Sequence, residues 1–169
     1  MGFDLTNRHG QSYRFNFFDW PNLLRLAEQY GWEPEGTTLD PEHLVDREED
    51  EDLSPEELAA EVAEAQAKWE GGYCTNDFQV VSAEDAAHLA DALEQALPDI
   101  PEHDAVGHKA IDPSTYSPEM RKQLEDLGVG RLFPVDAPIS VLERFSGRRG
   151  RDYLKGFIAF CRAGEFTIT

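Results

Sequence analysis

The stretch "FQVVSAEDAAHLADALEQAL" changes its period in the middle. Phe78 to Val81, with a β-branched pair at its end, reads as a short strand behind an Asn-Asp turn. From Ser82 onward the rule is helical. Ser82 is placed to cap, and Asp85 sits near the positive end of the helix dipole. Ala86, Leu89, Ala90, Leu93 and Leu97 then recur along one stripe. That stripe is narrow and rich in alanine, so a second element can approach it closely. Strand and helix in so short a span call for a mixed architecture.

The flanking sequence supplies further strands. "SYRFNFF" alternates, with Tyr13, Phe15 and Phe17 on one side and Arg14 and Asn16 on the other. "GFDLT" is its hairpin partner, joined through "NRHGQ". Asp19 is expected to cap the next helix, with Pro21 in its first turn. Leu23, Leu24, Ala27 and Tyr30 give that helix its face. Gly31 stops it, and Trp32 folds back on the last turn. "SPEE" opens another helix: Ser54 caps, Pro55 leads and Glu57 closes a capping box. Its expected buried stripe is Leu58, Val62, Ala65 and Trp69, and Gly71 and Gly72 end it. Ser117 with Pro118 starts a short helix, and Asp136 is expected to cap "VDAPISVLERF". Tyr153, Leu154, Phe157, Ile158 and Cys161 form the face of a last helix, stopped by Gly164 before a terminal strand, "FTIT". The expected fold class is α+β: about five helices packed on a small antiparallel sheet. The expectation is a single domain over residues 1–169, with an acidic exposed connection at about 33–53.

Charge narrows the function classes. The 169 residues include 34 acidic against 15 Lys and Arg, a formal charge of -19. Such a surface repels nucleic acid and anionic membrane and attracts basic proteins and cations. No direct nucleic-acid binding and no membrane association are therefore expected. An acidic proteome would produce the same charge without any functional meaning, and both explanations stay open. No window holds 18 consecutive apolar residues, as a membrane-crossing helix requires. The start "MGFDLTNRHG" has neither a basic segment nor an apolar one. The two cysteines, Cys74 and Cys161, have no metal or redox spacing. A cytoplasmic location follows as an expectation.

The densest acidic run is "DREEDED". Calcium loops space their oxygens around a glycine that this run lacks. Asp46, Glu48, Glu49, Asp50, Glu51 and Asp52, with Glu56 and Glu57 beyond them, form either a solvated linker or a docking strip for a basic protein. "SGRRGRD" is a glycine-spaced basic turn. Arg148, Arg149 and Arg151 there are candidates for holding an anion, and pairing with the protein's own acids is the plainer alternative. Asn76, Asp77 and His88 are candidate polar groups of a ligand site. His88 is also placed within reach of Glu84 and Asp91, as a surface histidine would be. His103, Asp104 and His108 are candidate metal ligands, but their spacing alone supplies no geometry, so no metal and no cofactor is expected. No phosphate-binding loop, nucleophile elbow, Cys-x-x-Cys or His-Glu-x-x-His occurs.

Several pieces resemble a family of uncharacterised bacterial proteins, a domain of unknown function with immunity-protein-like members. They are "MGFDL", "LAEQYGWEPEGT", "YCTNDFQVVSAEDAAHLADALEQAL" and "FIAFCRAGEFTIT". Similar proteins carry Asn-Asp-Gly-Gln before the helix and two glycines near the end. Here Phe78 replaces the first of these glycines and Glu165 the second of the closing pair. The resemblance implies a stand-alone intracellular bacterial protein and assigns no catalytic residue. The function expected is non-enzymatic protein binding of an immunity or inhibitor type, with homodimerisation an open alternative. A small-ligand binder or enzyme comes next, and a nucleic-acid-mimicking anti-defence protein third.

Overall fold

A computed structural model describes residues 2–44, 54–103 and 140–169. The helices expected at Ser117 and from Asp136 begin outside these residues. The chain's contacts gather into two compact units: Met1–Ala96 together with Leu154–Thr169, and Leu97–Tyr153.

The first unit is built on a five-stranded antiparallel sheet, so the fold is α+β as expected. Its strands are β1 (Gly2–Asn7), β2 (Ser12–Asn16), β3 (Thr38–Leu39), β4 (Gln79–Val81) and β5 (Phe166–Ile168), in the order β2-β1-β5-β4-β3. The strand formed last in the chain lies at the centre, pairing Thr6 with Thr167 and Val80 with Thr167.

The β1–β2 hairpin pairs Phe3 with Phe15 and Leu5 with Tyr13. Asn7 organises its turn: its Oδ1 accepts the N–H groups of His9 and Gln11, each at 3.0 Å. Alternation sends Phe3, Leu5, Phe15, Phe166, Ile168 and Val81 to one buried face. Thr6, Arg14, Thr38 and Asp4 take the other, which stays exposed.

Five α-helices occur among the described residues. α1 is Asp19–Gln29, α2 Pro55–Lys68, α3 Ala83–Ala96, α4 Val141–Arg144 and α5 Gly147–Arg162. Trp20 of α1 and Phe157 of α5 meet Phe15 on the inner face, with ring centroids 5.4 Å and 4.9 Å away. α3 packs on α1 through its alanine-rich stripe.

The cap of α1 differs from expectation. Asp19 is the first helical residue and Phe18 holds the cap position without a side-chain cap; Asn16, further upstream, accepts the N–H groups of Phe18 and Asp19 with its Oδ1 at 2.9 and 2.7 Å. An amide three residues upstream reaches those donors, whereas a first-turn carboxylate serves the dipole. The other end follows the sequence. Gly31 takes φ +92°, its N–H bonds Glu28, and the Trp32 N–H returns 3.0 Å to the Ala27 carbonyl, a Schellman closure.

Two further differences concern the acidic connection and α2. Within 33–44 the chain is partly buried: Thr37 and Leu39 are covered, and Thr38–Leu39 form the edge strand β3. Leu39 has its outer backbone groups satisfied by Gln66 of α2, whose Oε1 accepts the Leu39 N–H at 3.1 Å and whose Nε2 donates to the Leu39 carbonyl. A side-chain amide thus takes the place of a sixth strand. The stripe expected to be buried on α2 is only half-buried at Leu58, Val62, Ala65 and Trp69. The helix rests on a two-residue edge strand, which is too short to cover it.

In the second unit α4 is capped by Ser140 in a full capping box with Glu143. Gly147 donates its N–H to the Pro101 carbonyl at 2.9 Å, and Arg151 donates to the Ile100 carbonyl at 2.8 Å.

Candidate functional site

The most organised polar cluster of the first unit centres on Asp85. Ser82 caps α3 by accepting the Asp85 N–H at 3.0 Å, which turns the Asp85 side chain inward at the helix start. The carboxylate is fully buried. Its Oδ1 accepts the Trp32 indole N–H at 2.8 Å, and its Oδ2 accepts the Tyr73 hydroxyl at 2.5 Å. Trp32 and Tyr73 meet edge to face at 5.2 Å. Tyr73 in turn accepts the Gly36 N–H at 2.9 Å. No described cation pairs with Asp85; two donors and the positive end of α3 hold the charge. Burial, with Asp85 second, pushes the Tyr73 hydroxyl well above its ordinary range. The hydroxyl is therefore a standing donor and is unsuited to act as a base.

This buried cluster fixes the surface above it. Glu35 lies on the segment tied down by Trp32 and Gly36. Glu84 and His88 stand one turn apart on α3, hence on one face. His88 Nδ1 lies 3.1 Å from Glu35 Oε1, and one ligand atom from each of Glu35, Glu84 and His88 lies within 4.8 Å of the others. His88 was expected beside Glu84 and Asp91. Asp91 instead pairs with Arg162 at 2.5 Å, and Glu35 takes its place beside His88.

A second feature is a groove of about 300 Å³ on the open face of the sheet. Thr6, Arg8, His43, Phe78, Glu165 and Thr167 line it. Arg8 and Glu165 bridge at 2.5 Å. His43 stacks on Phe78 with centroids 4.0 Å apart and planes 11° from parallel. Phe78 has φ +55° and is the one non-glycine among the described residues with a positive φ. A bulky side chain is rare there, and glycine is the residue such a turn favours.

The other sequence candidates fall as follows. Glu56 and Glu57 share the first turn of α2, while Asp46, Glu48, Glu49, Asp50, Glu51 and Asp52 lie outside the described residues. Arg148, Arg149 and Arg151 share the start of α5. Arg148 bridges Asp152 at 3.7 Å and Arg151 is bonded to a backbone carbonyl, so two of the three serve the protein's own groups. Asn76 donates to the Gly2 carbonyl at 3.1 Å, and the Asp77 N–H goes to Gln79. No described contact joins Asn76 or Asp77 to His88. His103 is exposed; Asp104 and His108 lie outside the described residues.

Neither cysteine is set up as a nucleophile. Burial raises Cys161 far above the thiol range. Burial of the sulfur, with the Glu28 charge second, pushes Cys74 up to about 11 although the residue as a whole is exposed. No described helix is long and apolar enough to cross a membrane.

No protein-family model matches the chain, no curated protein matches it, and no solved structure matches its fold. The site must be read from its own chemistry. Glu35 is the member that sequence reasoning missed. The pairing of Glu84 with His88 at four residues was visible, but Glu35 lies 53 positions before His88 and joins them only through tertiary closure.

Proposed function

We propose that the protein is a non-enzymatic binding protein that docks a basic protein partner through an acidic strip. The strip comprises Asp46, Glu48, Glu49, Asp50, Glu51, Asp52, Glu56 and Glu57, continued along α2 by Glu61 and Glu64. The observation that supports this reading is α2 itself, which is exposed over its acidic face and has no fully buried residue. Its half-covered stripe of Leu58, Val62, Ala65 and Trp69 supplies apolar contact beside the charge. Acidic groups around such a stripe steer a basic partner and then give it surface to bury. An immunity- or inhibitor-like role fits this chemistry, and the patchy sequence resemblance points the same way.

The test compares wild type with a chain in which Asp46, Glu48, Glu49, Asp50, Glu51, Asp52, Glu56, Glu61 and Glu64 are neutralised. A basic protein captured from lysate at low salt should be released at high salt and should not bind the variant. Its association rate with the purified chain should fall steeply with ionic strength. Capture that ignores both salt and the substitutions overturns the reading.

A second reading, binding of a small ligand, is favoured by the strained Phe78 stacked on His43 at the groove, since residues held in sparsely populated backbone regions cluster at ligand clamps.

A further inference from the structure

We infer that Glu35, Glu84 and His88 form a binding site for a divalent first-row transition cation. This inference is independent of the protein-docking role.

Four observations carry it. First, the three donors are chemically mixed: one imidazole nitrogen and two carboxylates. Imidazole with carboxylate suits zinc and its neighbours better than it suits magnesium or calcium, which prefer oxygen alone. Second, the spacing is right. One ligand atom of each residue lies within 4.8 Å of the others. Donors at about 2.1 Å from one ion are separated by roughly 3 to 4 Å, so side-chain rotation alone closes the set. Third, the charge is uncompensated. Glu35 and Glu84 are like charges held close together, and among the described residues neither forms a salt bridge to a Lys or Arg. His88 Nδ1 lies 3.1 Å from Glu35 Oε1. A divalent ion relieves the repulsion.

Fourth, the backbone under the donors is held in place. Glu84 and His88 sit one turn apart on α3. Glu35 is brought to them because its neighbour Gly36 bonds Tyr73, Tyr73 bonds Asp85, and Trp32 bonds Asp85 as well. Asp85 directly follows Glu84 in α3. One buried carboxylate therefore locks the segment bearing Glu35 to the helix bearing the other two ligands. Such support is what distinguishes a site from a chance meeting of flexible side chains. The three residues are exposed, so water completes the coordination shell.

The experiment is titration of the purified, tag-free full chain with Zn2+, followed by calorimetry and by Trp fluorescence. Co2+ provides an absorption spectrum that reports coordination. The expected result is one saturable site. His88→Ala and Glu35→Gln should each weaken it by about tenfold or more, while His9→Ala, at an exposed hairpin turn, leaves it unchanged. His88→Gln is included as a milder variant, and far-UV circular dichroism checks that each chain is folded. Zinc binding by folded His88→Ala and His88→Gln that equals wild type overturns the proposal. So does the absence of saturable binding up to millimolar Zn2+.

Discussion

Tyr73 gives its hydroxyl hydrogen to Asp85 at 2.5 Å, and Trp32 gives its indole N–H to the other oxygen of the same carboxylate. The contact joins three parts of the chain far apart in sequence: the segment after α1, the approach to β4 and the start of α3. Removing the carboxylate leaves two buried donors unsatisfied, at about 1–3 kcal/mol each. Asp85→Ala should therefore lower the stability by about 3 kcal/mol or more. Tyr73→Phe, which removes one donor, should cost less, about 1–2 kcal/mol. In a double-mutant cycle the two losses should be strongly non-additive. Urea midpoints measure all of these. An Asp85→Ala chain as stable as wild type would show that the cluster is incidental.

Alkali should unfold the protein through its tyrosines. Burial, reinforced by the nearby Cys161, raises Tyr13 to about 12, although a backbone hydrogen bond from Phe157 acts the other way. Tyr73 is raised further. A folded-state value above the unfolded one favours folding. That contribution is complete below about pH 10, the value for a free tyrosine, and disappears as pH rises through the folded value. Stability should therefore fall between pH 10 and about 12. Absorbance at 295 nm, read beside circular dichroism, should show a late tyrosinate fraction that appears only as structure is lost. In Tyr13→Phe part of that late fraction should vanish. Simple titration of every tyrosine near pH 10 in the folded chain would contradict this.

Acid should loosen α2 before the sheet. Glu57 accepts from the Ser54 hydroxyl and the Ser54 N–H at 2.7 and 2.9 Å, and these bonds hold its carboxyl below the usual range. A lowered folded value means that the contribution is present above about pH 4.5 and is lost as pH drops through that lowered value. α2 has no fully buried residue to compensate. Hydrogen exchange at about pH 3 should accelerate across α2 while α3, anchored by buried Leu89 and Leu93, stays protected. Ser54→Ala should reproduce the effect at neutral pH. Equal acceleration in both helices would mean global unfolding instead.

Local rules made much of this fold legible. Gly31, Ser54 and Ser82 act where the sequence placed them, because caps and stops depend on a few adjacent residues. Asp19 was expected to cap α1 and Asn16 was read only as an outward strand residue, since the path of the chain decides which side chain reaches the first N–H groups. The central position of β5 was not legible: "FTIT" alternates equally well at an edge or in the middle. Leu39 was hidden in an acidic setting whose composition spoke for exposure. Asp85 read as an ordinary acid in a first helical turn. Its burial depends on Trp32 and Tyr73, which no local pattern brings to it.

Phe78 allows the clearest single-residue test. It holds φ +55°, where a side chain costs about 1–2 kcal/mol and glycine costs nothing steric. Phe78→Ala retains the Cβ strain and loses the stack on His43, so it should destabilise the chain. Phe78→Gly loses the same stack but releases the strain, so it should be the more stable of the two by about 1 kcal/mol. Denaturant midpoints of the two variants give the sign directly. The reverse order would mean that Phe78 is not strained in solution, which would remove the main support for ligand binding at the groove.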